Sequence, residues 1–217
     1  MKEITQIAVD GPSGAGKSTI ARRLAEILNI DYIDTGAMYR AVGYKMIRDG
    51  IGLEDRDALK NMLERTEINF NRGDTVLDGQ VISHLIRTPE ISQMASDASA
   101  LAEVREKLVA LQRAMGSEKS VIMDGRDIGT NVFPKAKYKF FLTAAVEERA
   151  RRRWLDLKEK GQAVELADVE ADIAARDYND SVRTLNPLRK AEDAIEVDTT
   201  QMDIEQVTRF ILNLIKK

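Results

Sequence analysis

Among its 217 residues the chain has no cysteine and a single histidine, His84. The first absence excludes disulfides, thiolate metal sites and cysteine nucleophiles. The second argues against an imidazole metal site or a Ser-His-Asp triad, so His84 reads as a structural or surface residue. No apolar run approaches the ~20 residues needed to cross a bilayer. The opening MKEITQIAVDG lacks the long apolar stretch of a secretory signal, so a cytoplasmic protein with no membrane partner is expected. Neither sign of charge dominates: 33 Lys and Arg face 36 Asp and Glu, a net charge of -3. That balance argues against a general nucleic-acid coat protein and leaves room for a local basic pocket.

What is present alternates between strands and helices. Residues 4 to 9 read as a short buried strand, and Lys17 to Leu28 as a helix with Ile20, Leu24, Ile27 and Leu28 on one face. Asp31 to Asp34 is a second strand, followed by helices from about Ala37 to Asp49 and Leu53 to Glu64. The stretch TEINFNRGDTVLDGQVIS (66–83) then breaks at Asn71-Arg72-Gly73-Asp74 and at Asp78-Gly79, as hairpin turns do. A small antiparallel sheet is expected there, inserted in an otherwise alternating chain. From Pro89 a long helical stretch runs to about Met115, with Leu101, Val104, Leu108, Leu111 and Met115 at helical spacing. Residues 120–123, 138–142 and 194–197 are strand candidates, and polar helices at 147–160 and 165–178 meet around Gly161. A last helix from Asp203 is expected to bury Ile204, Val207, Ile211 and Leu214, with Lys216 and Lys217 suited to its negative end. Strands alternating with helices imply an α/β fold with a parallel sheet covered on both faces.

The densest motif is GPSGAGKST, from Gly11 through Pro12, Ser13, Gly14, Ala15, Gly16, Lys17 and Ser18 to Thr19. It fits G-x-x-x-x-G-K-[ST] at every fixed position and follows a strand directly. Its glycines let successive N–H groups turn toward phosphate oxygens. Lys17 adds a charge over the β- and γ-phosphates, and the Ser18 hydroxyl is suited to Mg²⁺. No third glycine arrives for a dinucleotide fingerprint, and no Asn-Lys-x-Asp segment reads guanine. The loop therefore holds a nucleoside triphosphate, but water, a nucleotide and a metabolite all remain open as acceptor.

Three further clusters bear on that acceptor. In DTGAMYR a hydroxyl and Arg40 lie about one helical turn apart, with Asp34 or Thr35 also able to cap the helix. In MDGRDIGT, after an apolar strand, Asp124 is suited to the Mg²⁺ water shell, and Arg126 and Asp127 to a polar ligand. ERARRR (148–153) and RDYNDSVR (176–183) supply the arginines that a phosphoryl transfer needs, and the helix pair hinged near Gly161 reads as a short lid that excludes water.

GPSGAGKST, DTGAMYR, VREKL, DGRDIGTNVFP and RDYNDSVR occur in the order and rough spacing of bacterial cytidylate kinases, which the whole chain resembles. The resemblance implies a P-loop kinase core with a five-stranded parallel sheet, an inserted acceptor-binding subdomain and a short helical lid. It implies one domain over 1–217: a core at about 1–36, 116–148 and 180–217, an acceptor-binding region at about 37–115 with an insertion near 64–98, and a lid at about 149–179. The implied reaction is transfer from ATP to CMP or dCMP with Mg²⁺, by a protein expected to be a monomer. On this resemblance Gly11 to Thr19 bind ATP, with Ser18 and Asp124 toward the metal. Thr35, Arg40, Ser96, Arg105, Arg126, Asp127, Arg176, Asp180 and Arg183 bind CMP. Lys17, Arg126, Arg152, Arg176, Asp180 and Arg183 serve the transfer itself. Relatives can carry Ser where this chain has Thr35, which keeps the hydroxyl. The rival readings are a kinase of another nucleoside monophosphate or small metabolite, and a P-loop regulatory ATPase.

Overall fold

A computed structural model describes residues 4–71, 73–159 and 161–215. Arg72, Lys160, Lys216 and Lys217, which the sequence reading drew on, lie outside them. The chain divides into two compact units, 1–32 with 119–217, and 33–118.

The first unit is built on strands β1 (Gln6–Asp10), β6 (Val121–Gly125), β7 (Tyr138–Thr143) and β8 (Ile195–Asp198). With β2 (Asp31–Asp34) they make a five-stranded parallel sheet in the order β2-β6-β1-β7-β8. The central strand β1 pairs with β6 on one side and β7 on the other, so Asp10 stands level with Gly125 and Phe141. Crossovers leave β1 and β6 toward their carboxyl ends, where open α/β sheets place ligands.

Helices α1 (Lys17–Leu28) and α8 (Ile204–Ile215) cover this sheet. Ile7, Val9, Ile122, Phe140, Leu142 and Val197 from the strands meet Ile20, Leu24, Val207 and Ile211 from the helices in one apolar cluster. Ile27 is not among them: it is 50% exposed. Ala21 and Ala25 are fully buried, and they shift the inner stripe of α1 away from Ile27. Ile204, the first residue of α8, is likewise 48% exposed, because the inward face begins a turn later at Val207. Ile4 precedes the strand and is exposed.

Helices α6 (Val146–Glu159) and α7 (Leu166–Val182) pack through Ala150, Val169 and Ile173, with Trp154 and Leu157 against them. The turn between them places Gly161 at φ +74°. α7 runs a turn beyond the expected Tyr178, which puts Asp180 on the helix. After β6 the chain makes a wide helical turn at Ile128–Val132, with Val132 N–H reaching Asp127 O and Phe133 N–H reaching Ile128 O, each five residues back. The sequence suggested only a glycine-rich turn there.

The second unit contains α2 (Thr35–Asp49), α3 (Arg56–Glu64), a three-stranded antiparallel sheet β3 (Ile68–Asn71), β4 (Asp74–Leu77) and β5 (Gln80–Val81), and helices α4 (Pro89–Ala98) and α5 (Ala102–Glu118). Asp78 and Gly79 join β4 to β5 with φ of 49° and 81°, the two left-handed residues that a tight hairpin turn requires. Lys45 on α2 donates to Asp78 across 2.5 Å and pins this hairpin to the helix. α2 and α4 cross closely at Gly43, where a Cβ would stand 3.0 Å from Ala95 N. His84 lies exposed in the turns after β5.

The helical stretch read as continuous from 89 to 115 is two helices. At Ser99 the hydroxyl turns back to Ser96 O, and Ala100 N–H and Leu101 N–H close short turns onto Asp97 O and Ala98 O. A serine that bonds its own backbone in this way competes with the regular ladder. With neither Gly nor Pro at the break, periodicity alone ran through it.

Candidate active site

The loop between β1 and α1 owes its shape to backbone conformations that few residues adopt. Gly11 has φ +146°, and a Cβ there would stand 1.9 Å from Leu142 O on β7, so only glycine fits. Gly14 and Gly16 have φ of +75° and +81°, and no side chain caps α1 at Gly16. The first-turn N–H groups of α1 and its positive end therefore face the loop's interior, an arrangement suited to phosphate. Lys17 is buried and donates from Nζ to Pro12 O across 2.6 Å. Burial, with the charge of Arg126 nearby, pushes Lys17 down to about 7 against the pull of Asp124, Asp180 and Asp10. A bound polyphosphate would reverse that balance.

Ser18 donates to Asp124 Oδ2 across 2.7 Å, and the Tyr32 hydroxyl donates to Oδ1 of the same carboxylate across 2.8 Å. This hydroxyl and carboxylate are hard oxygen donors beside the phosphate loop. Among the described residues no cluster of three or more His, Cys, Asp or Glu forms a closed metal cage. Two oxygen ligands without a cage suit Mg²⁺, which keeps waters and takes its other ligands from substrate phosphates. The two residues singled out for the metal thus fit it.

Asp10, the last residue of β1, accepts from the N–H groups of Ile128 and Gly129 across 2.8 and 2.7 Å. It therefore holds the start of the wide turn that follows Arg126 and Asp127. Burial raises the Asp10 carboxyl to about 6, helped by Asp127 and opposed by those two N–H groups and Lys17.

Around this turn the unit gathers alternating charges. Arg126 Nε donates to Asp180 Oδ2 across 2.7 Å. Arg183 Nη2 reaches Asp127 Oδ1 at 3.3 Å, Nη1 reaches Asp180 Oδ1 at 3.5 Å, and Nε donates to Asn186 O at 2.7 Å. Burial opposes the charge of Arg126, but Asp180, with Asp124 and Asp177, raises the guanidinium on balance. Arg176, on the same helix as Asp180, has its Nε 3.6 Å from Asp172 Oδ2 one turn earlier. Arg152 is held by Glu148 at 2.9 Å and by Thr199, whose carbonyl takes Nη2 at 2.6 Å. Lys17, Asp124, Arg126, Asp127, Asp180 and Arg183 therefore stand in one charged neighbourhood, while Arg152 and Arg176 have separate partners.

In the second unit Asp34 caps α2 by accepting from Ala37 N–H at 2.8 Å, and its other oxygen takes Arg40 Nη2 at 3.2 Å. Thr35 is buried at the start of that helix. Arg105 is buried too, with its guanidinium 5.9 Å from the centre of the Tyr39 ring and 3.4 Å from Ser99 O. Ser96 is half-buried in the last turn of α4, where its carbonyl accepts the Ser99 hydroxyl.

Two residues at the first unit's site, Asp10 and Tyr32, carried no role in the sequence reading, and Arg149 and Asp177 entered it only as members of stretches expected to serve the transfer collectively. An acid ending an apolar strand was a usable signal for Asp10. Arg149 and Asp177 stood in arginine-rich stretches, but nothing in one dimension couples them to Ser13.

The sequence model of the family described as cytidylate kinase matches residues 7–217. A cytidylate kinase of Alkaliphilus oremlandii is 50% identical over 214 residues, covering 99% of each chain. A cytidylate kinase of Caldicellulosiruptor bescii is 49% identical, covering 100% of this chain and 97% of the relative. Among solved structures, shikimate kinase from Acinetobacter baumannii superposes with a TM-score of 0.51 at 18% identity, over 99% of this chain and 94% of that one. At that identity the likeness concerns the fold alone.

Proposed function

The chain belongs to the cytidylate kinase family, and on that premise we propose that it transfers the terminal phosphoryl group of ATP to CMP and dCMP, giving ADP with CDP or dCDP. The bond from the γ-phosphorus to the β,γ-bridging oxygen breaks, and one forms to an oxygen of the acceptor's phosphate. The observation that carries the reading is the Ser18–Asp124 contact beside the Arg126–Asp180 and Asp127–Arg183 pairs. It sets a triphosphate loop with a metal-suited oxygen pair next to fixed guanidinium groups.

The attacking oxygen is already anionic, so no side chain has to remove a proton, and catalysis reduces to positioning and charge stabilisation. Gly11 to Thr19 would hold the ATP phosphates, with Lys17 over the transferring group. When bound, Mg²⁺ would lie against Ser18 and Asp124 and offset the charge of the phosphates. Arg126 and Arg183 would bind the acceptor and the charge that develops; Asp180 and Asp127 fix the direction of those forks. Thr35, Arg40, Ser96 and Arg105 are assigned to the acceptor's sugar, phosphate and base, and Arg176 to its sugar or phosphate. Arg152 would have to exchange Thr199 for the transferring phosphoryl, a step suited to a lid made of α6 and α7. The same reading makes 33–118 the acceptor-binding unit of a monomer acting in the cytoplasm.

An enzyme-coupled ADP assay with CMP, dCMP, UMP, AMP and GMP in turn, and with no acceptor, tests this. ADP released at an equal rate without acceptor overturns the kinase reading in favour of an ATPase. AMP or another acceptor outpacing CMP and dCMP overturns the cytosine assignment alone.

A further inference from the structure

Ser13 lies in the middle of the phosphate loop, and both of its backbone polar groups are held by side chains of the α6–α7 pair. Its N–H donates to Asp177 Oδ1 across 2.9 Å, and its C=O accepts Arg149 Nη1 across 2.8 Å. The same Arg149 nitrogen pairs with Asp177 Oδ2, and its Nε donates to Ala144 O at 2.9 Å. Arg149 is 4% exposed, so it is not a solvated helix charge. One residue on, Gly14 lies so close to the first turn of α6 that a Cβ would stand 3.0 Å from Arg149 Cβ and 3.1 Å from its carbonyl.

A tie between α6 and α7 does not account for this arrangement. Ala150, Val169, Ile173 and the partly buried Trp154 and Leu157 already join the two helices by apolar packing. Every further hydrogen bond of the pair goes elsewhere, to Ser13 and to the carbonyl that ends the approach to α6. The electrostatics also have a direction. Asp177 sets a carboxylate against a loop built for an anion, an arrangement that repels a triphosphate unless a cation covers it. Arg149 covers it.

We propose that Arg149 and Asp177 are positioning residues for the phosphoryl donor. They clamp the Ser13 peptide from both sides, hold the loop in its phosphate-receiving shape, and make ATP affinity depend on the docking of α6 and α7 against the loop. The inference rests on the reading that this loop holds ATP, and it names no acceptor.

The test compares Arg149→Met, Asp177→Asn and the double variant, with ATP dissociation constants measured by calorimetric titration without acceptor, and CMP KM measured separately. Arg149→Met leaves the carboxylate uncovered and is expected to weaken ATP by about tenfold or more. Asp177→Asn keeps an acceptor for Ser13 N–H, and its expected loss is smaller, about two- to fivefold. The double variant is expected to bind ATP better than Arg149→Met, because the exposed carboxylate is gone. CMP KM should move by less than the ATP constant throughout, because the side-chain bonds of Arg149 and Asp177 go to Ser13, Ala144 and each other, and Asp177 acts on Arg126 only through its charge. Should Arg149→Met not fold, Arg149→Lys takes its place, keeping the charge but losing the fork, with an expected loss between those of the other two. Melting temperatures that fall while ATP affinity stays at the wild-type value in every variant overturn the proposal and leave a structural tie. So does a CMP KM that rises as much as the ATP constant. A wild-type protein that ignores CMP would sink the cytidylate reading and leave the ATP comparison standing.

Discussion

The Ser18 hydroxyl donates to the Asp124 carboxylate across 2.7 Å, joining residues 106 apart in the chain. Ser18 opens the helix after β1, and Asp124 lies near the end of β6, the strand paired beside it. Parallel pairing brings the two within reach: Val9 stands level with Asp124, so the loop that follows β1 starts beside the end of β6. One hydrogen bond thus brings the triphosphate loop to the segment that carries Arg126 and Asp127.

That pair is expected to set the metal dependence of the reaction. Asp124→Asn removes a charge while keeping the shape, and Ser18→Ala removes the neighbouring oxygen. Each should lower kcat by about a hundredfold or more, the usual scale for losing an electrostatic element of a transfer site. Raised Mg²⁺ concentration should recover part of the Asp124→Asn loss. Steady-state rates across a Mg²⁺ series check this, and an unchanged Mg²⁺ requirement in both variants would count against the assignment.

With Lys17 over the ATP phosphates, as proposed, ATP binding is expected to depend on pH. Burial lowers it from the ordinary 10.5 to about 7, so above pH 7 the ligand-free protein holds it largely neutral. ATP phosphates favour the charged form, so binding above pH 7 must take up a proton. ATP affinity should therefore fall as pH rises from 7, by at most about tenfold per pH unit. Calorimetric titration at pH 8 in buffers of different ionisation enthalpy should show uptake approaching one proton. Without nucleotide the sign reverses for folding: between 7 and 10.5 the unfolded chain binds the extra proton, so stability from this group rises with pH. A pH-independent ATP affinity would refute the linkage.

The strand–loop–helix unit around Gly11 to Ser18 was legible because its determinants are local. Gly11 to Ser18 carry a fixed spacing next to an apolar strand, and that strand–loop–helix unit forms as the spacing demands. Element order was legible for a similar reason, since periods of 2 and 3.6 belong to short windows. What escaped depends on partners far along the chain. Ile27 is apolar yet outward because Ala21 and Ala25 take the inner stripe against the sheet. The break at Ser99 rests on a hydroxyl bonding its own backbone, with no glycine or proline to mark it. Arg149 and Asp177 meet at Ser13 only after two helices and a loop have packed.

Gly11 is expected to admit no other residue. Its φ of +146° disfavours any L side chain, and the Cβ of Gly11→Ala would fall 1.9 Å from Leu142 O, a backbone atom of an interior strand. Strand and loop cannot both stay in place, so we expect a loss of about 3 kcal/mol or more, the range of severe steric and backbone effects. Chemical denaturation checks it. A variant with wild-type stability would mean that the loop can move off β7. Gly16→Ala provides the contrast: a Cβ there meets nothing within 4 Å, so only its positive φ opposes the change. It should cost about 1 kcal/mol.

Arg183 decides whether the charged neighbourhood after β6 serves the acceptor. It is 8% exposed on its side chain and bridges Asp127 and Asp180, so Arg183→Met removes the cation that joins these two carboxylates. Breaking a buried pair in this way costs about 3–5 kcal/mol of stability, so melting temperature falls whatever the function. The informative readout is the split between substrates. If the arginine holds the acceptor, CMP KM should rise by about a hundredfold, as expected for losing a charge-assisted anion contact. The ATP dissociation constant should stay within about threefold, because Lys17 and the loop are untouched. Asp180→Ala should move the same parameter in the same direction by loosening Arg126 and Arg183 together. Their combination should then be less than additive, because both changes disable the Arg183 fork. An ATP constant that rises in step with CMP KM would place Arg183 on the donor instead.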